Sequence, residues 1–313
     1  MRGLEIARAY FESFGLPMLR ERFPQLLPHV AAGLTGSGSE CYGYDDDVSR
    51  DHDFEPGFCL FLPGEDVVSR RDAFLLERAY AALPRAFMGC RRSLVAPVGG
   101  ARRGVCRTEE FYRDRVGSPD GHLTMEAFLT LPSYALSEAV NGEIFYDGPG
   151  TVTEIRTHLR NMPEDARRKR LASHLLLMAQ AGQYNYPRCC QRGDEGAAQL
   201  ALYEFAKSAM QVVFLLNHAY MPYYKWAFRA MRDLPRLSLL SVLLEYLLTT
   251  GNDRETAEEK RKVVEDICGD VAEEVRSQGL SSDPGQDLER QAYAVQRGIR
   301  DPGVRNLHIL TCA

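Results

Sequence analysis

Residues 36–43 read Gly-Ser-Gly-Ser-Glu-Cys-Tyr-Gly, and they are followed by Ser-Arg-Asp-His-Asp at 49–53 and by the apolar run Phe-Cys-Leu-Phe-Leu at 58–62. Glycines permit a tight backbone path in which backbone N–H groups close around a phosphate, and a serine hydroxyl adds another donor. A short apolar run after such a turn is typical of a buried strand. The sequence therefore predicts a phosphate-binding turn next to a sheet.

Two carboxylates stand at alternate positions before that strand. In an extended segment Asp51 and Asp53 project to the same face, whereas His52 points away. Carboxylate oxygens are ligands for Mg²⁺, which holds the phosphates when a nucleophile attacks a nucleoside triphosphate. We therefore expect a magnesium-dependent nucleotidyltransferase site. Its predicted members are the catalytic and metal-binding residues Asp51 and Asp53 and the nucleotide-binding residues Gly36, Ser37, Gly38 and Ser39, of which Gly38 and Ser39 are the main phosphate contacts.

The pattern of apolar residues divides the chain into two parts. Residues 31–130 combine the turn, a strand at 58–62, a helix near 71–83 and extended segments near 92–97 and 105–111. From about residue 133 a helical period dominates. The predicted fold class is α+β, with an α/β domain and N-terminal helices at 1–130 and a helical, acceptor-binding domain at 131–313.

Composition limits the classes of function. The chain has 313 residues, of which 45% are hydrophobic, and a net charge of -5, so it is globular and lacks an overall basic field. A nucleic-acid partner is therefore not favoured. No export signal or apolar membrane span is evident, which predicts a cytoplasmic protein without a membrane partner. The eight cysteines contain no Cys-x-x-Cys pair, so reduced thiols are expected. The oligomeric state is not predicted.

The Gly-Ser and Asp-x-Asp motifs resemble the signature of the nucleotidyltransferase superfamily, which includes antibiotic adenylyltransferases and polymerase beta. This resemblance covers roughly the first 130 residues. It implies that Gly38 and Ser39 hold the phosphates of a nucleoside triphosphate, with ATP favoured, and that Asp51 and Asp53 bind Mg²⁺.

A second resemblance spans nearly the whole chain. The stretches at 142–147, 183–188 and 214–226 are similar to an uncharacterised bacterial family, domain of unknown function 4037. That family is nucleotidyltransferase-like with a helical C-terminal region. The resemblance does not identify an acceptor.

One departure from the superfamily pattern concerns the third carboxylate, which a neighbouring strand normally supplies. Residues 104–108, Gly-Val-Cys-Arg-Thr, contain no acid, whereas Glu109 and Glu110 follow immediately. We therefore predict Glu109 as the third catalytic residue, with Glu110 as its alternative. A site with two carboxylates, or an inactive one, is the other interpretation.

The helical part contains two further candidate phosphate contacts. Arg188 ends the stretch Gln-Tyr-Asn-Tyr-Pro-Arg at 183–188, and Lys225 precedes the only tryptophan. Both cations can neutralise phosphate charge, although tyrosine and asparagine at 183–188 are also common in helix packing. Three consecutive acids, Asp45 to Asp47, are more typical of a solvated loop than of a metal site.

The leading hypothesis is transfer of a nucleoside monophosphate from a nucleoside triphosphate to a hydroxyl of an unknown, small-molecule acceptor. The first alternative is a nucleotide-binding regulatory module that has lost catalysis. The second is a helical ribonuclease of the toxin type, based on the spacing of Arg168 and His174; it requires both side chains to be exposed.

Overall fold

The computed structural model describes residues 2–48, 55–92 and 103–312. The chain forms two compact units: the first comprises Met1–Leu123 and Ala135–Asn161, and the second comprises Thr124–Tyr134 and Met162–Ala313. The strands are β1 (Ala31–Leu34), β2 (Cys59–Leu62), β3 (Ala86–Phe87), β4 (Cys90–Arg91), β5 (Gly104–Arg107) and β6 (Glu143–Asp147). The α-helices are α1 (Gly3–Tyr10), α2 (Leu16–Arg22), α3 (Ser39–Tyr42), α4 (Arg70–Ala81), α5 (Thr108–Val116), α6 (Met125–Thr130), α7 (Ser133–Val140), α8 (Thr151–Arg160), α9 (Glu164–Met178), α10 (Tyr186–Gln191), α11 (Glu195–Leu216), α12 (Tyr224–Arg232), α13 (Leu240–Thr249), α14 (Arg254–Ser277), α15 (Leu288–Arg297) and α16 (Pro302–Asn306).

The first unit is organised around a mixed sheet with the strand order β5-β2-β1-β6. β1 pairs antiparallel with β2 and with β6, whereas β5 runs parallel to β2. All residues of β1 and β2 are buried. This burial explains why the predicted strand has apolar residues at consecutive positions rather than an alternating pattern.

One face of β2, together with the preceding Phe58, packs into the core of the first unit. Phe58, Leu60 and Leu62 belong to a core cluster that includes Tyr10 and Tyr80. The Tyr80 hydroxyl donates a hydrogen bond to the Phe58 carbonyl oxygen at 2.8 Å and accepts one from the Phe58 N–H at 3.1 Å. Burial raises the pKa of Tyr80 to about 12, so this hydroxyl keeps its proton at neutral pH. The pair fixes the entry to β2 inside the core.

Two features of the first unit differ from the sequence-based expectation. The segment 105–111 was expected to be extended, but β5 ends at Arg107 and α5 begins at Thr108, whose hydroxyl donates to the Leu62 carbonyl oxygen at 3.0 Å. The domain boundary was expected at residue 130. Residues 135–161 instead group with the first unit, because β6 completes the sheet beside β1.

The described elements of the second unit are helices. α9 packs against α11, α15 and the C-terminal turn Ile309–Cys312. Two buried cations of α9 bind carbonyl groups: Arg170 donates to the Phe128 and Leu131 oxygens at 2.9 Å, and Lys169 donates to the Leu307 oxygen at 2.6 Å. Hydrogen bonding to carbonyl oxygens compensates for the desolvation of these charges.

The predicted α+β class is confirmed, with a mixed sheet in the first unit and a helical second unit. Within residues 2–48, 55–92 and 103–312, no helix combines the length and the apolar character needed to cross a membrane.

Candidate functional site

The glycine-serine loop, residues 36–39, leaves the end of β1 and enters α3. In the sheet, Gly33 near this end of β1 pairs with Cys59, the first residue of β2. Cys59 pairs in turn with Gly104, the first residue of β5. The loop therefore lies at the end of the sheet where β2 and β5 both begin, called the loop edge below.

Two glycines of the loop have different structural reasons for lacking a side chain. Gly36 has a φ of 128°, a region that residues with a side chain rarely adopt. Gly38 is extended, with φ of -70° and ψ of 149°, and a Cβ there would clash with the buried carboxylate of Glu40. These constraints explain why residues 36 and 38 of the turn are glycines.

The backbone donors of the loop are open to an anion. The Gly38 carbonyl oxygen accepts the Cys41 N–H at 3.1 Å, which starts α3. The N–H groups of Ser37 and Gly38 have no hydrogen-bond acceptor within the described part of the chain. Ser37 is exposed and Ser39 is partly exposed, so their hydroxyls are accessible from solvent. This arrangement of N–H and O–H donors suits a phosphate group.

Asn141, which follows α7 directly, holds the start of the loop. Its Oδ1 accepts hydrogen bonds from the Thr35 hydroxyl at 3.0 Å and from the Gly36 N–H at 2.9 Å. Sequence analysis missed this residue. Only the adjacent stretch at 142–147 was singled out, and nothing in the sequence connects it with a loop about a hundred residues earlier.

Arginine side chains add positive charge near the loop. Arg103 donates to Glu40 Oε1 at 2.9 Å, and both side chains are nearly buried, with 13% and 7% of their surface exposed. Arg115, at the end of α5, has its Nη2 3.5 Å from the position that a Cβ on Gly36 would occupy. Sequence analysis singled out neither arginine, because neither lies near the loop in the sequence.

The two cysteines nearest to the loop, Cys41 and Cys59, are buried. Burial raises the pKa of Cys59 to about 11, against the opposing effect of the positive charges of Arg115 and Arg103. Burial, together with the charge of Glu40, also raises the pKa of Cys41 well above its usual value. Both groups are therefore thiols rather than thiolates at neutral pH.

The predicted metal ligands Asp51 and Asp53 lie outside the described residues. Among the residues that are described, no three His, Cys, Asp or Glu side chains form a group suited to a metal ion. The assignment of Mg²⁺ to Asp51 and Asp53 therefore stays a prediction.

Glu109 is not brought to the loop. Because β5 runs parallel to β2, the chain moves away from the loop edge before it reaches Glu109 in the first turn of α5. Glu109 Oε1 instead lies 3.7 Å from the Cβ position of Gly64, beyond the end of β2, and its Oε2 is 3.7 Å from Arg113 Nη2. The length of β2, about 10 Å at the usual rise of a strand, separates the two edges. Glu110, in the same turn, shares this location.

Asp45 has a structural partner, as expected for the acidic loop. Its Oδ2 accepts the Gly3 N–H at 2.9 Å, at the beginning of α1. Asp46 and Asp47 are exposed. Asp46 and Asp47 therefore agree with the solvated-loop interpretation, whereas Asp45 is half-buried.

The two candidate cations of the helical part each contact an aromatic ring. Arg188 on α10 donates to the Tyr184 hydroxyl at 2.8 Å, and its guanidinium carbon lies 4.7 Å from the centre of that ring. Lys225 on α12 has its ammonium group 5.2 Å from the centre of a Trp226 ring. Their contact with a nucleotide stays a prediction.

His174 excludes the ribonuclease alternative. The residue is buried on α9, and burial, together with the charges of Arg170 and Lys207, lowers its pKa to about 3. A buried, neutral imidazole cannot meet the requirement that Arg168 and His174 be exposed together. That hypothesis is wrong.

Comparisons with known proteins provide a family match. No curated protein matches the chain. The fold is similar to the crystal structure of a nucleotidyltransferase-like protein from Exiguobacterium sibiricum 255-15, with 13% sequence identity and a TM-score of 0.37. The match covers 91% of this chain and 80% of the other chain. Residues 128–227 match the family model of a domain of unknown function, DUF4037, and contain all three stretches on which that resemblance was predicted. The resemblance is confirmed over residues 128–227, whereas its predicted extent over nearly the whole chain stays a prediction.

Proposed function

We propose that the protein binds a nucleoside triphosphate, with ATP favoured, and transfers its nucleoside monophosphate to a hydroxyl of a small-molecule acceptor. The observation that carries this proposal is the glycine-serine loop. Its Ser37 and Gly38 N–H groups have no acceptor within the described residues, and it lies at the sheet edge where β2 begins. Asp51 and Asp53 precede that strand by a few residues in the sequence.

In this mechanism the loop holds the β- and γ-phosphates. The N–H groups of Ser37 and Gly38 and the hydroxyl of Ser39 donate to phosphate oxygens, while Asn141 fixes the backbone from which they project. Asp51 and Asp53 would hold Mg²⁺, which offsets the negative charge on the phosphates when it is bound. The acceptor hydroxyl attacks the α-phosphorus and loses its proton to water, the bond between the α-phosphorus and the bridging oxygen breaks, and pyrophosphate leaves.

The proposal extends to the setting of the reaction. The helical second unit, Thr124–Tyr134 and Met162–Ala313, would bind the acceptor. The net charge of -5 supports a small acceptor rather than a nucleic acid. We also propose a cytoplasmic location.

Thermal-shift measurements with each of the four nucleoside triphosphates, with and without Mg²⁺, test the binding step. A ligand that binds only the native state raises the unfolding temperature, so at least one Mg-nucleotide is expected to stabilise the wild-type protein. The variant Asp51→Asn/Asp53→Asn should lose the magnesium-dependent part of that shift. The matched control is Asp46→Asn/Asp47→Asn, which changes two exposed acids of the same segment and should keep it.

Pyrophosphate release with a panel of hydroxyl acceptors tests the transfer step. The wild-type protein is expected to release pyrophosphate with at least one acceptor, and the Asp51→Asn/Asp53→Asn variant is not. If no nucleoside triphosphate stabilises the wild-type protein, the proposed function is wrong.

A second candidate is the nucleotide-binding module without catalysis. The position of Glu109 favours it, because this carboxylate lies at the opposite edge of the sheet and the start of β5 carries the Arg103–Glu40 ion pair instead. Nucleotide-dependent stabilisation without pyrophosphate release across the acceptor panel is the result that would favour this candidate over the transferase.

A further inference from the structure

Arg115 lies close to the glycine-serine loop, at the end of the sheet where β2 and β5 begin. β5 carries the chain away from the glycine-serine loop, and α5 then reverses direction from Thr108 to Val116. Arg115 stands in the last turn of α5, with Nη2 3.5 Å from the Cβ position of Gly36. One guanidinium nitrogen therefore borders the backbone of the loop.

Two contacts hold the guanidinium group in this orientation. Arg115 Nη1 donates to the Phe111 carbonyl oxygen at 3.0 Å, and the guanidinium carbon lies 3.5 Å from the centre of the Phe111 ring. Phe111 is itself buried against Phe61 and Tyr112, with ring centres 5.0 and 5.1 Å away. The side chain is thus fixed before any ligand arrives, which lowers the entropic cost of binding.

No carboxylate of the described residues neutralises the charge of Arg115. Within the described residues, it has no carboxylate at ion-pair distance, unlike Arg103, which pairs with Glu40, and Arg113, which pairs with Glu109. Arg115 is only partly exposed. A partly buried guanidinium without a carboxylate is stabilised when an anion binds beside it, and its planar donors match phosphate oxygens.

We propose that Arg115 donates to the phosphate that the Ser37 and Gly38 N–H groups hold, and that it is a binding residue for the triphosphate. The inference rests on the proposed function, because it needs a nucleotide in the loop. It adds a cation from α5 to a site otherwise made of backbone and serine donors.

Isothermal titration of the wild-type, Arg115→Gln and Arg115→Lys proteins with ATP and with inorganic tripolyphosphate tests the proposal. Loss of a charged hydrogen bond is expected to weaken both ligands by roughly 10- to 100-fold in Arg115→Gln. Arg115→Lys keeps the charge but not the planar donors, so its affinity should lie between those of the wild type and Arg115→Gln. The matched control is Arg113→Gln, which removes an exposed arginine of the same helix and should bind like the wild type.

The outcomes separate this inference from the function on which it rests. If the wild-type protein binds no nucleoside triphosphate, the proposed function fails and the role of Arg115 fails with it. If the wild type binds ATP and Arg115→Gln binds it equally well, only the assignment of Arg115 is wrong. Thermal unfolding of each variant establishes that it is folded, and affinity that is lost in Arg115→Gln but partly recovered in Arg115→Lys supports the phosphate contact.

Discussion

The side-chain amide of Asn141 forms hydrogen bonds with both the N–H group and the carbonyl group of Gly36. Its Oδ1 accepts the Gly36 N–H at 2.9 Å, and its Nδ2 donates to the Gly36 carbonyl oxygen at 2.7 Å. Gly36 is buried and has a positive φ, so its polar groups have little access to water. A single side chain that follows α7 thus satisfies both backbone polar groups of Gly36 at the entrance of the candidate phosphate loop.

Replacement of Asn141 by alanine should destabilise the protein and disorder the loop. Two buried backbone groups lose their partner, which is expected to lower the free energy of unfolding by about 1–3 kcal/mol. Nucleotide affinity should fall as well. Urea denaturation and titration with ATP measure the two effects. The control is Asn161→Ala, which removes an exposed asparagine in the same unit; equal stability of the two variants would argue against the role of Asn141.

Gly142 is expected to be intolerant of a side chain for two reasons. Its φ is 65°, and a Cβ at this position would clash with the Leu34 carbonyl group at the end of β1. Gly150 has a similar φ of 77° but has no atom within 4 Å of its Cβ position. Gly150→Ala should therefore cost about 1–2 kcal/mol through backbone strain alone.

Gly142→Ala should cost the same strain plus roughly 1–3 kcal/mol for the clash. The comparison of the two variants by urea denaturation isolates the effect of packing against β1. If both variants lose the same free energy of unfolding, the close approach of Gly142 to Leu34 does not contribute.

The local parts of the site could be predicted from the sequence, since a turn made by Gly36 to Ser39 depends mainly on neighbouring residues. The strand at 59–62 was recognised because both of its faces are apolar. The contributions of Asn141 and Arg115 were not predictable in this way. They reach the loop only through the return of α7 and α5 to the same sheet edge, which no local pattern encodes.

Two strands of the four-stranded sheet were missed for physical reasons that their sequences explain. β1 reads Ala-Ala-Gly-Leu, which has no β-branched or aromatic residue, and it is extended because it is buried between β2 and β6. β6 is a partly buried strand at the sheet edge within a region of helical periodicity. The location of Glu109 away from the glycine-serine loop was not predictable either, because it depends on the parallel direction of β5, which a single sequence does not specify.

The Arg103–Glu40 ion pair should be important for the stability of the loop edge. Both side chains are nearly buried, so removal of one partner leaves a desolvated charge. Glu40→Gln is expected to lower the free energy of unfolding by roughly 3–5 kcal/mol. The exposed pair Arg261–Glu258 supplies the control, since solvent screens this pair and Glu258→Gln should change the stability far less than Glu40→Gln.

A double variant, Glu40→Gln/Arg103→Met, refines this prediction. It removes both charges, so it should recover part of the stability that Glu40→Gln loses, and a double-mutant cycle measures the coupling. If Glu40→Gln/Arg103→Met loses as much stability as Glu40→Gln and Arg103→Met lose together, the two side chains do not interact energetically.

His174 should make the stability of the protein depend on pH between about 3 and 6.5. Its pKa is lowered to about 3 in the folded protein, chiefly by burial, whereas the usual value is 6.5. The unfolded chain therefore binds more protons in this range, and the free energy of unfolding rises with pH until it levels off above 6.5. Between pH 7 and pH 5 the wild-type protein should lose on the order of 2 kcal/mol through this residue.

Urea denaturation of His174→Leu at pH 5 and pH 7 tests the sign and the size of this effect. The variant has no imidazole to protonate on unfolding, so its stability should change less between the two pH values than that of the wild type. The control is His29→Leu, which removes an exposed imidazole and should retain the wild-type difference. An unchanged difference in His174→Leu would assign the acid sensitivity to other groups and would contradict a neutral, buried His174.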